Sequence, residues 1–370
     1  MKKYRIALVT DKYLPIYGGL ELFLRELAHE LTLRGHEAHV ICVTPGEPRD
    51  EIFAVHRLDV PRIPGLYRAR SRAAVVALDR VLGAHRFDLV HAHCIFSPLA
   101  HAATWLARRR RVPSVLTVHS DVRGVGGVAA SLANRVCRWA KWPTVLSAVS
   151  RYVAADLRRV SRRDDVELLL NAARIDDWRV ARAEEQRIVA AMRFTIRKRP
   201  KQLVRMLSSL HARLPRSRWP KLALVGDGPE LPSVRREVAR LGLQEHVELP
   251  GYLTQRELAG QLARAAVFAV PSRREALSIA AIEARAAAVP VVARIPSGVA
   301  EVVEHGVHGL LARDDDEFVA ALATLLGDPA LRARMSGAAR RDLERFEWRR
   351  CLERHEELYA TAIERFSRSE

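Results

Sequence analysis

Two glutamates eight residues apart, Glu275 and Glu283, have the side chains whose spacing most suggests chemistry. They lie in PSRREALSIAAIEARAAAVPVV, residues 271–292, which follows the apolar run VFAV and ends in a second apolar run. The pattern predicts a strand, a loop with Glu275, a helix with Glu283 and another strand. In an open parallel α/β sheet such a loop faces the ligand crevice, and the amides of the following helix point into it. The segment therefore predicts a site where amides bind an anion and carboxylates accept hydrogen bonds from hydroxyls, the two kinds of group that a sugar nucleotide carries.

A basic pair follows the first predicted strand of the same half of the chain. Arg193 and Lys198 stand five residues apart in RFTIRK, directly after the run 187–192. A guanidinium and an ammonium on one loop can neutralise a diphosphate, and they can stabilise the charge that develops when the diphosphate leaves. Arginine is abundant throughout the chain, so the pair gains meaning only together with the glutamate segment.

Glycine-rich turns and a histidine mark further strand ends. Gly18 and Gly19 precede a predicted helix, as in loops that let the backbone approach a phosphate, although GxGxxG is absent. VGDGPE at 225–230 follows a strand in the same way. His119 ends the predicted strand 113–118, where crevice residues lie in parallel sheets. For each of them the alternative is a structural role, as a tight turn or as a hydrogen-bonded histidine at a strand end.

No metal site is predicted. His91 and His93 alternate on a predicted strand and could point the same way, but no third ligand follows at a recognisable spacing. The run Asp314-Asp315-Asp316 formally contains the DxD signature of metal–diphosphate sites. It directly precedes a predicted helix, where carboxylates interact with free amides, so an N-terminal cap is the preferred interpretation.

Two alternations of strands and helices must position these residues. The predicted strands are 5–10, 38–43, 87–93, 113–118 and 144–149 in the first half, and 187–192, 221–226, 247–249, 267–270 and 289–293 in the second. Two successive βα arrays, joined by the charged linker 176–185, predict an α/β fold with two Rossmann-like, doubly wound domains that face each other across a cleft. We also expect a variable excursion at 45–75 and a mobile glycine-rich loop at 122–128.

Composition and charge limit the function classes. The 370 residues are 49% hydrophobic and 28% charged, as in ordinary globular proteins, and no apolar run approaches the ~20 residues of a membrane span. Four scattered cysteines predict reduced thiols in a cytoplasmic protein, and the interrupted apolar run at the start is not that of a secretory signal. Residues 1–183 carry +12 of the net charge of +18. Such a charge suits nucleic acid, anionic lipid or an acidic substrate, or it serves solubility alone.

Segments from both halves of the sequence, taken together and in chain order, resemble the family 4 glycosyltransferases. These are retaining enzymes with the GT-B fold of two Rossmann-like domains. The matching pieces are YLPIYGGLE, FDLVHAH, VHS, SAVS, LLLNAARID, RFTIRK, LALVGDGPE, the Glu-x7-Glu segment and SGVAEVVEHGVHGLL. The resemblance covers nearly the whole chain, and the Glu-x7-Glu segment is its most specific part. It implies an acceptor-binding domain at 1–180, a donor-binding domain at 181–345 and a C-terminal helix, 346–370, that crosses back to the first domain.

The resemblance also implies a role for each matching residue. Arg193 and Lys198 would hold the donor diphosphate, Glu275 the hydroxyls of the donor sugar, and Glu283 the ribose hydroxyls. His119 would contact the donor sugar near the reacting centre, and it completes the implied catalytic set of His119, Arg193, Lys198 and Glu275. The other implied donor contacts are Gly18, Gly19, Gly251, Tyr252, Leu277, Ser278 and Ile279. The nucleotide sugar is a co-substrate, and neither a metal ion nor another cofactor is expected.

The chain departs from the family pattern at several glycines. Met192 replaces the usual glycine before the arginine, Ala276-Leu277-Ser278 replaces Gly-Phe-Gly, and Ala288 replaces a glycine late in the helix. These replacements are mostly small and keep the backbone accessible, which indicates variation rather than inactivation.

The expected function is retaining transfer of a hexosyl or N-acetylhexosaminyl group from a nucleotide sugar to a hydroxyl of a small-molecule or lipid-linked acceptor. The segments HCIFSPLAHAA and HSDVRGVGGVAASLANRV are also similar to phosphatidylinositol N-acetylglucosaminyltransferase catalytic subunits, which favours a UDP-sugar such as UDP-N-acetylglucosamine.

One alternative function is that of a glycosidase in which Glu275 and Glu283 are an acid–base pair. Another is a basic protein that binds nucleic acid or anionic membrane without transfer activity. Aromatic residues make up only 6% and no nucleic-acid motif is present, so nucleic acid is not an expected partner. Peripheral attachment to anionic lipid at the inner membrane face is compatible with the enzyme.

Overall fold

The chain folds into two compact units, each built around one parallel β-sheet. The computed structural model describes residues 2–16, 18–47, 50–60 and 71–368, apart from the Val125 side chain. The first unit runs to Ala172 and includes the C-terminal helix from Trp348, and the second unit is Ala173–Glu347. These units confirm the predicted α/β class with two doubly wound sheets.

The first unit has a seven-stranded sheet in the order β3-β2-β1-β4-β5-β6-β7. Its strands are β1 (Arg5–Val9), β2 (Glu37–Cys42), β3 (Ala54–Arg57), β4 (Leu89–His93), β5 (Ser114–Val118), β6 (Val145–Ala148) and β7 (Val166–Leu168). Its helices are α1 (Gly19–Leu33), α2 (Arg72–Ala84), α3 (Pro98–Arg109), α4 (Gly124–Cys137), α5 (Arg151–Ser161) and, from the end of the chain, α12 (Trp348–Ser367).

The second unit has a six-stranded sheet in the order β10-β9-β8-β11-β12-β13. Its strands are β8 (Arg187–Ala191), β9 (Lys221–Val225), β10 (Val247–Gly251), β11 (Val267–Val270), β12 (Val291–Arg294) and β13 (Gly309–Ala312). Its helices are α6 (Pro200–His211), α7 (Leu231–Arg240), α8 (Gln255–Arg264), α9 (Ile279–Ala286), α10 (Asp315–Gly327) and α11 (Pro329–Ala338).

Local sequence explains why these elements form. All four residues of β11, VFAV, are buried, as expected for a strand covered on both faces. Helix α6 buries Leu203, Leu207 and Leu210, an apolar stripe at helical spacing. Helix α8 begins with a capping box, in which Thr254 and Glu257 accept each other's backbone hydrogen bonds.

The strand order of each sheet reverses once, between β1 and β4 and between β8 and β11. At such a switch point the loops that leave the carboxyl ends of neighbouring strands diverge, which opens a ligand crevice. In the second unit the loop after β8 contains Arg193 and Lys198, and the loop after β11 contains Glu275. The topology therefore places the two predicted site loops side by side.

The C-terminal helix α12 belongs to the first unit. It packs against α1 and against strands β5 and β6. The Tyr359 hydroxyl lies 3.0 Å from Nδ1 of His91, inside the sheet core. Arg34 in turn donates to Glu356 at 3.1 Å. The predicted return of the last helix to the first unit is confirmed.

The expected mobile loop at 122–128 is wrong, because α4 begins at Gly124. The glycines permit close packing. A Cβ at Gly127 would lie 2.3 Å from the carbonyl oxygen of Val122, and one at Gly126 would lie 2.8 Å from the ring of Phe96. Sequence reasoning took these glycines as a sign of flexibility, whereas they let a helix pack closely against its neighbours.

The variable excursion predicted at 45–75 lies partly outside the described residues, and within it the structure places the edge strand β3. Among the described residues, no helix combines the length and the hydrophobicity needed to cross a membrane.

Candidate functional site

The centre of the candidate site is an ion pair between the loops after β8 and β11. Nζ of Lys198 lies 2.7 Å from Oε1 and 2.8 Å from Oε2 of Glu275. Glu275 is only 8% exposed, and its carbonyl oxygen accepts from the amide of Gly298 at 2.7 Å. An ammonium has three donors, so one N–H of Lys198 is left for another acceptor.

The loop that carries Arg193 and Lys198 is held by the VGDGPE turn. The Phe194 amide donates to the carbonyl of Asp227 at 2.8 Å, and the Glu230 amide donates to the carbonyl of Phe194 at 3.0 Å. A Cβ at Gly226 would lie 1.9 Å from the carbonyl oxygen of Met192, and one at Gly228 would lie 2.5 Å from that of Phe194. These two glycines therefore have the structural role that the sequence left open, since only glycine permits this approach.

A second brace joins the same loop to the start of α10. Both terminal nitrogens of Arg199 donate to Asp315, at 2.9 and 2.6 Å, and Arg294 donates to the same carboxylate at 2.6 Å. The hydrogen bonds from Arg199 lower the pKa of Asp315. Asp314 is the N-cap of α10 and accepts from the amide of Glu317 at 2.8 Å. The cap interpretation of this acidic run is confirmed.

Arg193 has an exposed side chain. Its guanidinium makes no ion pair or hydrogen bond with any described residue. Arg193 lies two residues after the end of β8 and five residues before Lys198, at the carboxyl edge where the strand order of the second sheet reverses.

Ser278 gives α9 an unusual N-terminus. Its backbone is left-handed, with φ 80°, a region that favours glycine, and its side chain accepts from the Ala281 amide at 3.3 Å. Leu277 is 2% exposed and anchors the turn, so Ile279 begins the helix at a fixed place. Ala288, the other family glycine position, also has a positive φ, 57°. The chain keeps the backbone geometry although it lacks both glycines.

Glu283 lies in α9 and is a half-buried residue. Burial raises the pKa of Glu283 to about 7. Its carboxylate has no side-chain hydrogen bond or ion pair with any described residue, unlike that of Glu275. A desolvated carboxylate without a partner is ready to accept hydrogen bonds from ligand hydroxyls.

Gly251 and Tyr252 lie at the end of β10, on the same carboxyl edge. Gly251 has φ 78°, and its carbonyl accepts from the Gly226 amide at 2.7 Å. The Tyr252 side chain is 57% exposed. An exposed aromatic ring beside a strand end can stack on a base, as the resemblance implies.

The remaining predicted residues, Gly18, Gly19 and His119, lie in the first unit. Gly18 is the N-cap of α1, in an extended conformation that any residue adopts, and Gly19 begins that helix. Nε2 of His119 lies 3.0 Å from Nδ1 of His93, and burial lowers the pKa of His119 to about 3. His119 is therefore neutral at pH 7.

The sequence missed the histidines and hydroxyls around His119. His91 lies 2.6 Å from the hydroxyl of Thr117, which in turn lies 2.6 Å from that of Ser147. The ring of His355 of α12 is tilted against that of His91 and edge-on to that of Tyr359, at 5.7 and 6.0 Å between centroids. The pair His91 and His93, considered above as metal ligands, belongs to this hydrogen-bonded core instead. No sequence spacing links residues on β4, β5, β6 and α12, so only the fold could bring them together.

Comparisons with known proteins identify the family of the chain. The family described as "Glycosyl transferases group 1" matches residues 172–342, and the family described as "Glycosyltransferase Family 4" matches residues 17–177. A GDP-mannose-dependent alpha-(1-6)-phosphatidylinositol monomannoside mannosyltransferase of Mycolicibacterium smegmatis is 30% identical over 373 residues, covering 93% of this chain and 95% of that protein. A D-inositol 3-phosphate glycosyltransferase of Thermobispora bispora is 26% identical, covering 95% of this chain and 92% of that protein.

Solved structures show the same fold. The crystal structure of Anabaena HepE in complex with UDP and glucose aligns with a TM-score of 0.79 at 20% identity, covering 97% of this chain and 100% of that chain. The two families match consecutive halves of the chain, and the M. smegmatis relative matches across nearly all of it. The chain therefore belongs to the group 1 glycosyltransferases.

Proposed function

We propose that this protein transfers a hexosyl or N-acetylhexosaminyl group, with retention of configuration, from a nucleoside-diphosphate sugar to a hydroxyl of a cyclitol or lipid-linked acceptor. One observation carries the proposal. At the switch point of the second sheet, the loop with Arg193 and Lys198 lies beside the loop with Glu275, and Lys198 and Glu275 are joined. Cations for a diphosphate and a carboxylate for sugar hydroxyls thus meet in one place.

Each end of the donor has a matching group in this proposal. Arg193 and the remaining N–H of Lys198 bind the diphosphate, helped by the free amides in the first turn of α9. Glu275 accepts hydrogen bonds from the sugar, and Glu283 accepts them from the ribose. Tyr252 lies against the base. His119, Gly18 and Gly19 keep the roles near the sugar and diphosphate that the family resemblance implies.

The chemistry rests on charge stabilisation in this proposal. The acceptor hydroxyl attacks the anomeric carbon from the face that the diphosphate leaves, and a phosphate oxygen takes the hydroxyl proton. The bond from the anomeric carbon to the phosphate oxygen breaks, and the nucleoside diphosphate departs. Arg193 and Lys198 stabilise the negative charge that grows on the departing oxygens. Two cations supply this charge, so the proposed reaction uses no metal ion. Asp314 and Asp315, the acidic run that a metal would need, are engaged as a cap and in ion pairs.

The surface of α4 supports a lipid-linked acceptor. Val128, Leu132 and Val136 lie one helical turn apart and are 61%, 56% and 81% exposed. Arg135 and Arg138 on the same helix end are also exposed. An apolar stripe with flanking cations suits an anionic membrane surface, and the M. smegmatis relative is described as acting on a phosphatidylinositol monomannoside. The proposed place of action is the cytoplasmic side of such a membrane.

Donor choice is tested by screening nucleotide sugars. The sequence favours UDP-N-acetylglucosamine, whereas the M. smegmatis relative is described as GDP-mannose-dependent. UDP-N-acetylglucosamine, UDP-glucose and GDP-mannose are each added to the purified chain, and the melting temperature and the slow release of nucleoside diphosphate are measured. We expect one donor to raise the melting temperature and to be hydrolysed or transferred, and NMR of the product to show the anomeric configuration of the donor. An inverted product, or no response to any nucleotide sugar, contradicts the proposal.

Membrane attachment is tested separately by sedimentation with vesicles that contain phosphatidylglycerol. We expect Leu132→Glu with Val136→Glu to reduce the sedimented fraction several-fold. The matched control, Leu33→Glu with Ile52→Glu, places the same two charges on other exposed apolar residues, which are 64% and 53% exposed. If both variants sediment like the natural protein, α4 is not the membrane-facing surface.

A further inference from the structure

Three histidines from neighbouring elements of the first unit meet outside the site described above. They are His39 on β2, His56 on the edge strand β3, and His85, the residue that caps the C-terminus of α2. One ring nitrogen of each lies within 4.8 Å of those of the other two. We propose that His39, His56 and His85 form a binding site for a zinc ion.

The distances are close to those of a three-histidine zinc site. Zinc binds imidazole nitrogens at about 2.0–2.1 Å in tetrahedral geometry, so ligand nitrogens around it are separated by about 3.4 Å. Nδ1 of His39 faces Nε2 of His56 at 2.8 Å. The ring of His85 lies 5.0 Å from that of His39 and 4.8 Å from that of His56, centroid to centroid. To hold the ion, the first pair must separate by about 0.6 Å. The His85 nitrogen, which lies within 4.8 Å of the other two, must approach them to about 3.4 Å.

The surroundings of His39 orient its ring for this task. Nε2 of His39 lies 2.9 Å from Oε1 of Glu37, and a carboxylate there fixes the proton on Nε2. Nδ1, which faces His56, is then the nitrogen with the lone pair, and it accepts from Nε2 of His56 at 2.8 Å. Zinc would replace that shared proton once His56 carries its own proton on Nδ1. A carboxylate that accepts from the far nitrogen of a metal-bound histidine is the usual outer partner in zinc sites. Arg5 holds Glu37 in turn, at 2.7 Å.

The cluster belongs to the first unit, whereas the candidate donor site is built from residues of the second, and the cluster has access to solvent. The Glu37 side chain is 51% exposed, and His56 and His85 are both partly exposed. Three protein ligands leave one coordination position for water. A bound ion would tie the short edge strand β3 to β2 and to the turn between α2 and β4.

Imidazole nitrogens select the ion by their chemistry. Three neutral nitrogen ligands without carboxylate suit zinc, copper or nickel, and they do not suit magnesium or calcium, which need oxygen. The ring of Phe87 forms one apolar side of the histidine cluster, because it packs edge-on against His39 at 5.1 Å between centroids.

The test uses the full chain without a polyhistidine tag, stripped of metal with a chelator. Titration with Zn²⁺ in competition with a chromophoric chelator is expected to show one equivalent bound, and Co²⁺ is expected to give the visible absorption of a tetrahedral site. His56→Ala and His85→Ala are each expected to weaken binding at least tenfold and to remove the Co²⁺ spectrum. Glu37→Gln is expected to weaken binding by roughly tenfold while the spectrum stays.

The control is His305→Gln, which alters an exposed histidine of the second unit and should leave zinc binding unchanged. Circular dichroism and melting of the metal-free His85→Ala variant show whether it is folded, because His85 is a partly exposed helix cap. Zinc should raise the melting temperature of the natural chain and of His305→Gln, and it should leave that of His85→Ala unchanged. The proposal is overturned if the natural chain binds no equivalent of zinc, or if His56→Ala and His85→Ala bind zinc as tightly as the natural chain does.

Discussion

Glu275 and Glu283 have the same side chain and very different surroundings. Glu275 is salt-bridged to Lys198 through both oxygens. Glu283 has no such partner among the described residues, and burial raises its pKa to about 7. A pair of carboxylates with different environments could be an acid and a base, as the glycosidase alternative supposes. Membership of the glycosyltransferases, and the use of Glu275 to hold a lysine, favour binding roles for both.

The two cations of the loop after β8, Arg193 and Lys198, should have the largest effect on turnover. We expect Lys198→Ala or Arg193→Ala to lower kcat by ~10²-fold or more, which is the scale of removing one strong electrostatic contact to developing charge. Arg197→Ala is the matched control, because Arg197 is an exposed cation of the same loop to which no role is assigned. Steady-state kinetics with the donor found by screening provide the measurement. A near-normal kcat in the Lys198 and Arg193 variants would remove their assigned role.

Glu283 should make donor binding depend on pH. If the ionised carboxylate accepts the ribose hydroxyls, the donor binds the protein in which Glu283 has lost its proton. With a pKa of about 7, that fraction rises about tenfold between pH 6 and pH 8, so affinity should rise about tenfold over this interval. The ligand must be the nucleotide sugar, since the terminal phosphate of a free nucleoside diphosphate itself titrates near pH 6.

Glu283→Gln supplies the comparison for this pH dependence. Glutamine keeps an oxygen acceptor and cannot ionise, so the variant should bind the donor more weakly at pH 8 and with an affinity that no longer changes between pH 6 and pH 8. Calorimetric titration at several pH values makes the comparison. A natural protein whose affinity is flat over this range would show that Glu283 does not bind the ribose as a carboxylate.

At the scale of elements, the loop that carries Arg193 and Lys198 depends on two glycines of another loop. The VGDGPE turn after β9 contacts the backbone of Met192 and Phe194, and Gly226 and Gly228 leave no space for a side chain there. The segment is thus a support for Arg193 and Lys198. Its glycines resemble those of a phosphate-binding loop in sequence, although their contacts are with protein backbone.

Gly226→Ala should weaken donor binding and stability by more than the cost of placing alanine at a positive φ. Gly226 has φ 125°, and an added Cβ would lie 1.9 Å from a carbonyl oxygen, so the loop with Arg193 must move. Gly242→Ala is the matched control, because Gly242 also has a positive φ, 66°, but faces open space. The control should lose only about 1 kcal/mol of unfolding free energy, from the strained φ. Gly226→Ala should lose more stability and, in addition, most of its donor affinity; equal behaviour of the two variants contradicts the bracing role.

Sequence patterns predicted most strands and the helices α1, α9 and α10, since apolar runs and caps are local signals. The Ser278 turn could also be expected, because a family glycine position marks a left-handed backbone. The helix α4 was missed, since glycines destabilise an isolated helix and only the close packing against Val122 and Phe96 explains them. Local signals and tertiary packing disagreed there, and the packing determined the structure.

Contacts between distant segments were the part that the sequence could not supply. Arg199, Arg294 and Asp315 meet from three loops, and nothing in their spacing indicates it. His39, His56 and His85 likewise come from three elements, whereas the histidine pair visible in the sequence, His91 and His93, lies in a hydrogen-bonded core. Sequence spacing can indicate metal ligands that lie on one strand or helix. It does not indicate ligands from separate elements that only the fold brings together.

At the scale of the whole molecule, the two units repeat one topology with different buried chemistry. Both sheets are parallel and reverse order once, and the donor site is proposed at the reversal of the second. The first unit instead buries a group of histidines between its sheet and α12. Nε2 of His93 and of His355 and Nδ1 of His119 are buried there without a hydrogen-bond partner in the described part of the chain. An imidazole in such a place is neutral.

This buried group should make the first unit sensitive to acid. Burial lowers the pKa of His119 to about 3 and that of His355 to about 4, and it also lowers the pKa of His91 and of His93. Histidines in an unfolded chain titrate near pH 6.5, so between about pH 6.5 and 4 the unfolded chain binds protons that the folded chain excludes. The stabilisation is therefore complete above about pH 6.5 and is lost as the pH falls toward 4. Each histidine changes the unfolding free energy by at most about 1.4 kcal/mol per pH unit.

His355→Phe tests this sign and magnitude, because the new ring keeps the contacts with Phe23 and Tyr359 and cannot bind a proton. Denaturant unfolding of the natural chain at pH 7, 6 and 5, followed by a probe in the first unit such as Trp348, should show falling stability. The variant should lose less stability between pH 6 and pH 5, by up to about 1.4 kcal/mol. His305→Gln, which alters an exposed histidine outside the group, should keep the slope of the natural chain. Identical slopes in His355→Phe and in the natural chain would show that His355 is not excluded from protons in the folded state.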